Sequence, residues 1–423
     1  MKKILLTTAL CATLVYAENI LLPTEKRTFD QSKYIPDISL VLDTSYVTRN
    51  ADPDEVGHFE VPGIAHGLLG SHGHDGATHA TYNAKEGFNL NYAELILTSN
   101  VDPYFSMEGV FHMSENGFAI EEAYFTSTAL EHGFRFKGGK FLSNFGYINV
   151  QHHHFWDFGD MPLVYESFLG MHGINEVGAQ LQWTAPTPFY LMAGFELLQG
   201  TNEQMFGNET IGDPEDPVAK GATAPSLYVA YLKSSFDVGD TTFLGGLSYV
   251  YGESRIDHTE DEESPHAFSG VSQIYGADFL VKHYFDSYSY LKFQNEYLYR
   301  DMDGTQYSVD ENVTVTGSTP LLKKQAGFYS QLIYAHDTNW RFGIRYDAFV
   351  KNEIVKNGPE AFAPDNMDKY SAMIEYHTSE FARFRFQYNR NNALYNEDGE
   401  QQHIDTFMLQ ANISIGAHGA HDF

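Results

Sequence analysis

Apolar and polar residues alternate almost without a break in the stretch TFMLQANISIGA, residues 406–417. Successive side chains of a β-strand point to opposite sides, so this stretch predicts a ribbon with one apolar and one mostly polar side. The apolar side carries Phe407, Leu409, Ala411, Ile413 and Ile415. Strands of bacterial outer-membrane barrels have this pattern, because one side meets lipid and the other meets a water-filled lumen.

The same alternation recurs along most of the chain and predicts an all-β fold, a closed antiparallel transmembrane β-barrel of about 16 strands. The connections between the predicted strands alternate between short turns and longer loops, as in barrels with periplasmic turns and outer loops. The strands are predicted at roughly 37–48, 87–100, 104–114, 118–129, 133–146, 176–185, 188–200, 225–237, 241–253, 272–285, 288–301, 325–336, 339–351, 368–378, 381–391 and 403–417. Strand 87–100 changes face near Asn91, which a bulge or a contact between protomers would explain.

Composition agrees with this fold class. The chain has 28 Tyr and 32 Phe, more than an ordinary core requires, and two interfacial girdles of aromatic residues would use them. The mean hydropathy of −0.34 is compatible with a barrel, because only every second strand residue meets lipid. A large soluble β-sandwich or β-helix stays open as the alternative.

The start of the chain predicts export. Two lysines, a short apolar run and a small-residue cleavage site identify residues 1–17 as a signal peptide. Residues 18–36 are predicted to form a periplasmic segment and residues 37–423 the barrel, in the bacterial outer membrane. The single cysteine, Cys11, lies in the predicted signal peptide, so no disulfide or cysteine-bound metal is expected in the remainder.

Charged residues are expected on the inner side of the strands. A charge facing lipid costs about 2–4 kcal/mol at the bilayer midplane, whereas the same charge in a wet lumen costs little. This rule predicts a set of pore-lining residues: Arg135, Lys137, Lys292, Glu296, Arg300, Arg341, Arg345, Arg383 and Arg385. They are either plain solvated wall residues or an electropositive wall opposite acidic loops, such as 254–263, that would favour small polar or charged solutes.

Nineteen histidines concentrate in two predicted outer loops. Imidazole is a common ligand of Zn²⁺, and short histidine-rich tracts indicate metal binding by composition alone. The candidate metal ligands are His72, His74, His79, His152, His154 and His172. A flexible polar loop, or a cluster of histidine and aromatic rings inside the lumen, is the alternative, so Zn²⁺ is an expectation and no cofactor is required.

The third outer loop is compact and aromatic, which predicts that it folds inward and narrows the lumen. Its candidate constriction residues are His154, Trp156, Asp157 and Asp160. The strand before it, KGGKFLSNFG at 137–146, and the sequence HHHFWDF at 152–158 resemble the strand-to-constriction segment of porin-type barrels. Together with NEVGAQLQWTAPTPF at 175–189 and the GAHGAH tail, they resemble a family labelled zinc-regulated TonB-dependent outer-membrane receptors. That resemblance implies zinc-linked expression and zinc uptake.

The leading functional prediction is a porin, a passive channel for small hydrophilic solutes that is linked to uptake of zinc or another divalent metal. A surface receptor or adhesin that binds metal or another ligand without conduction is the alternative. An enzyme is not expected, because no G-x-S-x-G motif occurs and the loop histidines have no evident serine partner. Outer-membrane lipids and a homotrimer are the expected partners, and the net charge of −30 argues against nucleic acid.

Overall fold

The computed structural model describes residues 35–416, apart from 53–54, 67–81, 116, 203, 261–264, 359, 362–363, 365–366 and 397. The predicted signal peptide, most of the predicted periplasmic segment and the histidine-containing tail lie outside the described residues. The same is true of three candidate metal ligands, His72, His74 and His79. Within the described residues, no helix is long and apolar enough to cross a membrane.

Sixteen long strands form one closed antiparallel sheet. They are β1 (Asp37–Arg49), β2 (Gly87–Asn100), β3 (Phe105–Ser114), β4 (Gly117–Ser127), β5 (Phe134–Leu142), β6 (Asn175–Thr184), β7 (Tyr190–Leu198), β8 (Leu227–Val238), β9 (Thr241–His258), β10 (His266–Tyr284), β11 (Tyr290–Val309), β12 (Val315–Ala335), β13 (Trp340–Lys356), β14 (Asp368–Ser379), β15 (Ala382–Tyr395) and β16 (Gln401–Gly416). Each strand pairs with the next, and β1 pairs with β16, where Leu42 lies opposite Ile413. The predicted closed 16-strand barrel is confirmed.

The outer side of the barrel is apolar. In β16, Phe407, Leu409 and Ile415 are exposed, whereas the alternate residues Met408 and Gln410 are buried inside. The same division holds in β13 and β15. Closure of the sheet satisfies the backbone groups of every strand edge, and the ring of exposed apolar side chains gives an outer surface suited to hydrocarbon. The chain is therefore a bacterial outer-membrane barrel.

Strands β9 to β12 are longer than the sequence predicts. They run for 18 to 21 residues and project beyond the predicted strand ends. Consequently, the predicted loops 254–271 and 302–324 consist mostly of β-ribbon, and the predicted acidic loop 254–263 begins inside β9. These boundaries were wrong because the ribbons continue past the apolar band, where alternation of apolar and polar residues no longer marks a strand.

Two bulges change which side chains face inward. Asp43 pairs with Tyr92 and Thr44 with Leu90, so Asn91 is an extra residue in β2. The predicted change of face near Asn91 is thus a bulge. A second bulge places Glu121 as the extra residue of β4, because Val110 pairs with Glu122 and Phe111 with Ile120.

The short turns are closed by aspartates. The Asp286 carboxylate accepts hydrogen bonds from the amides of Tyr288 and Ser289, at 2.8 and 2.9 Å, and Asp337 accepts bonds from Asn339 and Trp340. These amide hydrogen bonds lower the pKa of both carboxyls. We assign this end of the barrel to the periplasm, because outer-membrane barrels have their short turns there.

The loop between β5 and β6 lies inside the barrel. We call residues 143–174 the inner loop; it contains a short helix, α1 (Leu163–Leu169). Its two ends are joined through Asn149, whose side-chain amide donates to the carbonyls of Ser143 and Ile174, at 2.9 and 3.1 Å. An apolar core inside the barrel includes Phe145, Trp156, Leu163 and Phe168 of the inner loop and Phe206, Phe268, Met302 and Phe349 of the wall and outer loops.

Part of the first outer loop also folds inward. Val56, Phe59, Val61 and Ile64 belong to the same apolar core. Backbone carbonyls of this loop accept hydrogen bonds from β12 and β13. The Lys323 ammonium and the Gln325 amide of β12 both donate to Gly63, and the Asn352 amide of β13 donates to Pro62. The two inward loops therefore share one apolar core with the barrel wall, and together they fill the middle of the barrel.

Candidate functional site inside the barrel

Backbone amides of the inner loop are held by carboxylates and amides on the barrel wall. The amides of Tyr147 and Ile148 donate to the Glu296 carboxylate of β11, at 2.7 and 3.0 Å. The Leu163 amide donates to Asp347 of β13 at 2.8 Å, and the Gly159 amide donates to Gln387 of β15 at 2.8 Å. The loop thus leaves β5, crosses the lumen to the opposite wall and returns to β6.

Glu296 is the central acceptor of this arrangement. Its carboxylate also accepts hydrogen bonds from the hydroxyls of Tyr165, at 2.7 Å, and Tyr329. The approach is so close that a Cβ at Gly146 would collide with the Tyr165 hydroxyl, and Gly146 has a positive φ of 60°. Glu296, predicted to line a pore, faces the interior but is only 1% exposed because the inner loop covers it.

Two acidic residues of the inner loop neutralise the basic side of the wall. Asp157 lies 2.6 Å from the Lys292 ammonium and accepts a hydrogen bond from Gln331 at 2.7 Å. Asp160 forms an ion pair with Arg345 at 3.0 Å and another with Lys369. Both predicted constriction residues therefore lie inside the barrel as electrostatic anchors of the inner loop.

The other two predicted constriction residues are held through their carbonyls. Arg383 donates to the His154 carbonyl at 2.8 Å, and Arg385 donates to the Trp156 carbonyl at 2.7 Å. Arg385 also pairs with Glu375 at 2.8 Å, and Arg341 lies 3.6 Å from the same carboxylate. The guanidinium groups of β15 thus connect the loop backbone to a buried acidic residue of β14.

The remaining predicted pore-lining residues lie at different levels. The Arg300 guanidinium is buried over the ring of Phe168, 4.3 Å from its centroid, and donates to the Ile64 carbonyl at 3.3 Å. Lys137 is nearly buried, with its ammonium 4.1 Å above the Tyr124 ring. Arg135 is exposed near the short turns and donates to Gln182 at 2.6 Å.

The predicted set thus faces the barrel interior, and its members other than Arg135 and Lys137 divide into two groups. Four members are covered by the two inward loops and have exposures of 3% or less: Glu296, Arg300, Arg345 and Arg385. The sequence analysis expected these four in water, and it missed their burial because a strand pattern does not report what fills the lumen. Lys292, Arg341 and Arg383 remain partly exposed on the periplasmic side of the inner loop. Roles in permeation stay predictions for the whole set.

The opposite wall is rich in carboxylates and imidazoles. Glu94 of β2 lies 2.7 Å from His112 of β3 and 3.2 Å from His154 of the inner loop. His152 lies 2.8 Å from Glu122 of β4 and 3.6 Å from Glu94. The charge on this side of the interior is carried by acidic residues with histidine partners, in contrast to the basic wall of β11 to β15.

The three consecutive histidines, His152 to His154, do not all face the same neighbours. His152 and His154 point toward the carboxylates, whereas His153 stacks on the Tyr82 ring, with centroids 4.1 Å apart, and contacts the Gly159 carbonyl. His172, another candidate metal ligand, lies against the edge of the same Tyr82 ring. The structure therefore brings His152 and His154 into one cluster and gives His172 a different immediate neighbour.

Sequence reasoning missed the residues that the strands contribute to this cluster of carboxylates and imidazoles. Glu94, Glu108, His112 and Glu122 all occupy inward positions of strands that were predicted in nearly the right place. Their position on the inner face could have been predicted from strand parity. Their convergence could not have been predicted, because it depends on the register between three strands and on the bulge at Glu121.

A closed 16-strand barrel with an apolar outer belt and a charged interior defines an outer-membrane β-barrel protein. No protein-family model matches the chain. The chain belongs to the same family as an uncharacterized protein of Aquifex aeolicus (strain VF5), to which it is 47% identical over 395 residues, covering 93% of this chain and 81% of that relative.

Solved structures share the fold at low sequence identity. The outer membrane channel DcaP of Acinetobacter baumannii is 12% identical, with a TM-score of 0.50 over 90% of this chain and 98% of that one. An anion-selective porin from Comamonas acidovorans is 10% identical, with a TM-score of 0.50 over 89% of this chain and 98% of that one. In vitro folded OmpT of Vibrio cholerae is 11% identical, with a TM-score of 0.50 over 90% of this chain and 97% of that one. These likenesses show the fold alone.

The resemblance to TonB-dependent receptors gains no support from these proteins. A gated receptor of that kind has about 22 strands around a separate plug. The described part of this chain closes with 16 strands, and its lumen is occupied by two of its own loops.

Proposed function

We propose that this protein is a passive outer-membrane channel for small hydrophilic solutes, narrowed by the inner loop. The observation that carries the proposal is the closed 16-strand barrel with lipid-facing apolar residues outside and charged residues inside. Passive permeation through such a barrel needs no catalytic group, and no enzymatic activity is part of the proposal.

Two oppositely charged walls would select the solute. Lys282, Lys292, Arg341 and Arg383 line the periplasmic side of the inner loop, and all four side chains are partly exposed. On the wall of β2 to β4, Glu108 and His152 are partly exposed, and buried carboxylates lie behind them. A small polar or charged solute passing between them would meet both signs of charge. We include divalent metal ions such as Zn²⁺ among the candidate solutes, because carboxylate and imidazole groups are their ordinary protein ligands.

One observation favours the alternative of a receptor that does not conduct. Apolar side chains of the inner loop pack against the wall at the middle of the barrel, and the residues beneath them are almost fully buried. Such packing would give small conductance in a channel, or none in a receptor. Assembly as a homotrimer remains a prediction for either function.

Planar-bilayer recording separates the two functions. We expect the purified protein to give small, discrete conductance steps. Replacing residues 147–172 by a short Gly-Ser linker should enlarge the steps several-fold, because the inner loop would no longer occupy the lumen. Shortening the exposed hairpin tip at 310–314 is the matched control and should leave the conductance unchanged.

The outcomes are distinct. Reversal potentials in a salt gradient would report whether the basic or the acidic wall dominates ion selection. Absence of steps from the intact protein, with steps appearing only after the loop replacement, would favour the receptor.

A further inference from the structure

Two adjacent strands and the inner loop bring metal-ligating atoms together on the acidic wall. One carboxylate oxygen of Glu108, one of Glu122 and one ring nitrogen of His152 all lie within 4.8 Å of one another. Glu108 is on β3, Glu122 is on β4 and His152 is on the inner loop. We propose that these three residues bind one divalent transition-metal ion, which fastens the inner loop to the barrel wall.

The donor set fits an ion of the Zn²⁺ or Mn²⁺ class. One imidazole nitrogen and two carboxylate oxygens suit borderline-to-hard divalent cations. With metal–ligand distances near 2.0–2.2 Å, tetrahedral ligands lie about 3.3 Å apart. The Nε2 atom of His152 and an oxygen of Glu122 are already 2.8 Å apart, and Glu108 is half-buried.

Hydrogen-bond donors around the two glutamates hold their carboxylates in place. The backbone amide of Leu142 donates to the second oxygen of Glu122 at 2.7 Å. The Tyr124 hydroxyl donates to a Glu108 oxygen at 2.7 Å. Hydrogen bonds to ligating carboxylates fix their orientation and raise metal affinity, so these two contacts leave one oxygen of each glutamate for the ion.

The second ring nitrogen of His152 is placed as the outer nitrogen of a metal-bound imidazole would be. Its Nδ1 atom is buried and has no hydrogen-bond partner among the described residues. Glu94 lies just beyond hydrogen-bonding distance, at 3.6 Å, and is itself held by His112 at 2.7 Å. When Nε2 binds a metal, Nδ1 carries the proton, and a carboxylate is its usual acceptor. A small shift of His152 toward Glu94 would complete that arrangement.

Charge favours a cation at this position. Besides the two ligating glutamates, Glu94 lies 3.6 Å from His152 and Glu121 lies 3.7 Å from His112, whereas the Lys137 ammonium lies over the Tyr124 ring. The far side of the inner loop is already held by the ion pairs of Asp157 and Asp160. An ion bound by His152 would secure the near side in the same way. This site requires no conduction, so it stands or fails independently of the channel proposal.

Calorimetry on the full-length protein, folded in detergent and stripped with a chelator, tests the site. The protein should carry His72→Ala, His74→Ala and His79→Ala, so that the first loop does not compete for metal. We expect about one Zn²⁺ per chain, added as zinc chloride, with Mn²⁺ binding more weakly. The double substitution Glu108→Gln and Glu122→Gln should weaken Zn²⁺ binding at least 100-fold, and the matched control His403→Gln should leave it unchanged.

A second readout guards against a folding defect. Zn²⁺ should raise the thermal unfolding temperature of the parent protein and not that of the double variant. If the double variant fails to fold, the single substitution Glu108→Gln, at a half-buried position, carries the test. Absence of Zn²⁺ and Mn²⁺ binding to the folded parent, or undiminished binding after the glutamate substitutions, would overturn the proposal.

Discussion

Among the inner-loop side chains described above, Asp160 contacts the largest number of side chains on the wall of β13 to β15. Its carboxylate contacts Arg345 and Lys369 and accepts a hydrogen bond from Gln387, so cations from two strands converge on one residue. Removing one partner of a buried ion pair costs roughly 3–5 kcal/mol, because the remaining charge stays desolvated without compensation. Lys369 would be left in this way, whereas Arg345 would keep its ion pair with Asp347 at 2.9 Å. The stability of the inner loop should therefore depend on this single carboxylate.

We predict that Asp160→Asn releases the inner loop while the barrel stays closed. The substitution keeps the shape of the side chain but leaves Arg345 and Lys369 without its charge, so loop opening should become easier by about 3 kcal/mol. The fluorescence of Trp156 reports opening of the inner loop, because Trp156 is a buried residue of that loop, whereas Trp183 and Trp340 face outward. With the two outward tryptophans replaced by Phe, acrylamide quenching should increase.

A matched control and an opposing result are available. Glu311→Gln removes a carboxylate from an exposed outer turn and should leave Trp156 quenching unchanged. Unaltered quenching in Asp160→Asn would mean that Asp157 and Arg385 hold the loop without it.

Individual interior residues could be predicted only in part. The inward direction of Arg345, Arg385 and Glu296 follows from strand parity and was predicted. Their burial was not, because it is imposed by residues far away in sequence: Glu296 meets the amides of Tyr147 and Ile148 some 150 positions earlier. The chemistry of an inward residue thus depends on the loop that reaches it.

At the scale of elements, the alternation of apolar and polar residues located all sixteen strands. It failed where a strand no longer has a lipid side, as at the outer ends of β9 to β12, which extend to His258 and Val309. It also detected the irregularity at Asn91 and offered a bulge as one of two explanations, which the register confirms. The lipid boundary, not the hydrogen-bonded ladder, is what the apolar pattern reports.

This distinction gives a prediction for β13 and β12. Ile344→Arg places a charge within the apolar belt and should lower the free energy of unfolding by about 2–4 kcal/mol. Val315→Arg is the matched control, since Val315 is an exposed apolar residue at the outer tip of a projecting ribbon, and it should cost roughly 0–1 kcal/mol. Guanidinium unfolding in lipid vesicles measures both values.

Equal costs for the two substitutions would contradict the position of the membrane boundary. In that case the projecting ribbons would also have to lie in hydrocarbon, and the assignment of β9 to β12 as extending beyond the bilayer would be wrong.

At the scale of the whole molecule, the barrel combines a lipid-facing exterior with an interior that is packed like a soluble core at its middle. The apolar cluster joins both inward loops to the wall, and charged residues near it are paired, Arg345 with Asp160 and Arg385 with Glu375. The overall sheet was predictable because the alternation and the pairing of successive strands are local properties repeated along the chain. The filled lumen was harder to predict, since loop packing depends on contacts between residues distant in sequence.

The direction of the barrel in the membrane is the remaining whole-molecule prediction. Cys11 is the chain's single cysteine, so one introduced cysteine can report one end of the barrel without competition from residues 35–416. Asp398→Cys lies at an exposed outer tip, and Ser287→Cys lies in a short turn. Because the short turns belong to the periplasm, a membrane-impermeant maleimide applied to intact cells should label Cys at 398 and not at 287. Both should react after the outer membrane is broken, and the unsubstituted protein is the control. Labelling at 287 alone in intact cells would require the opposite orientation.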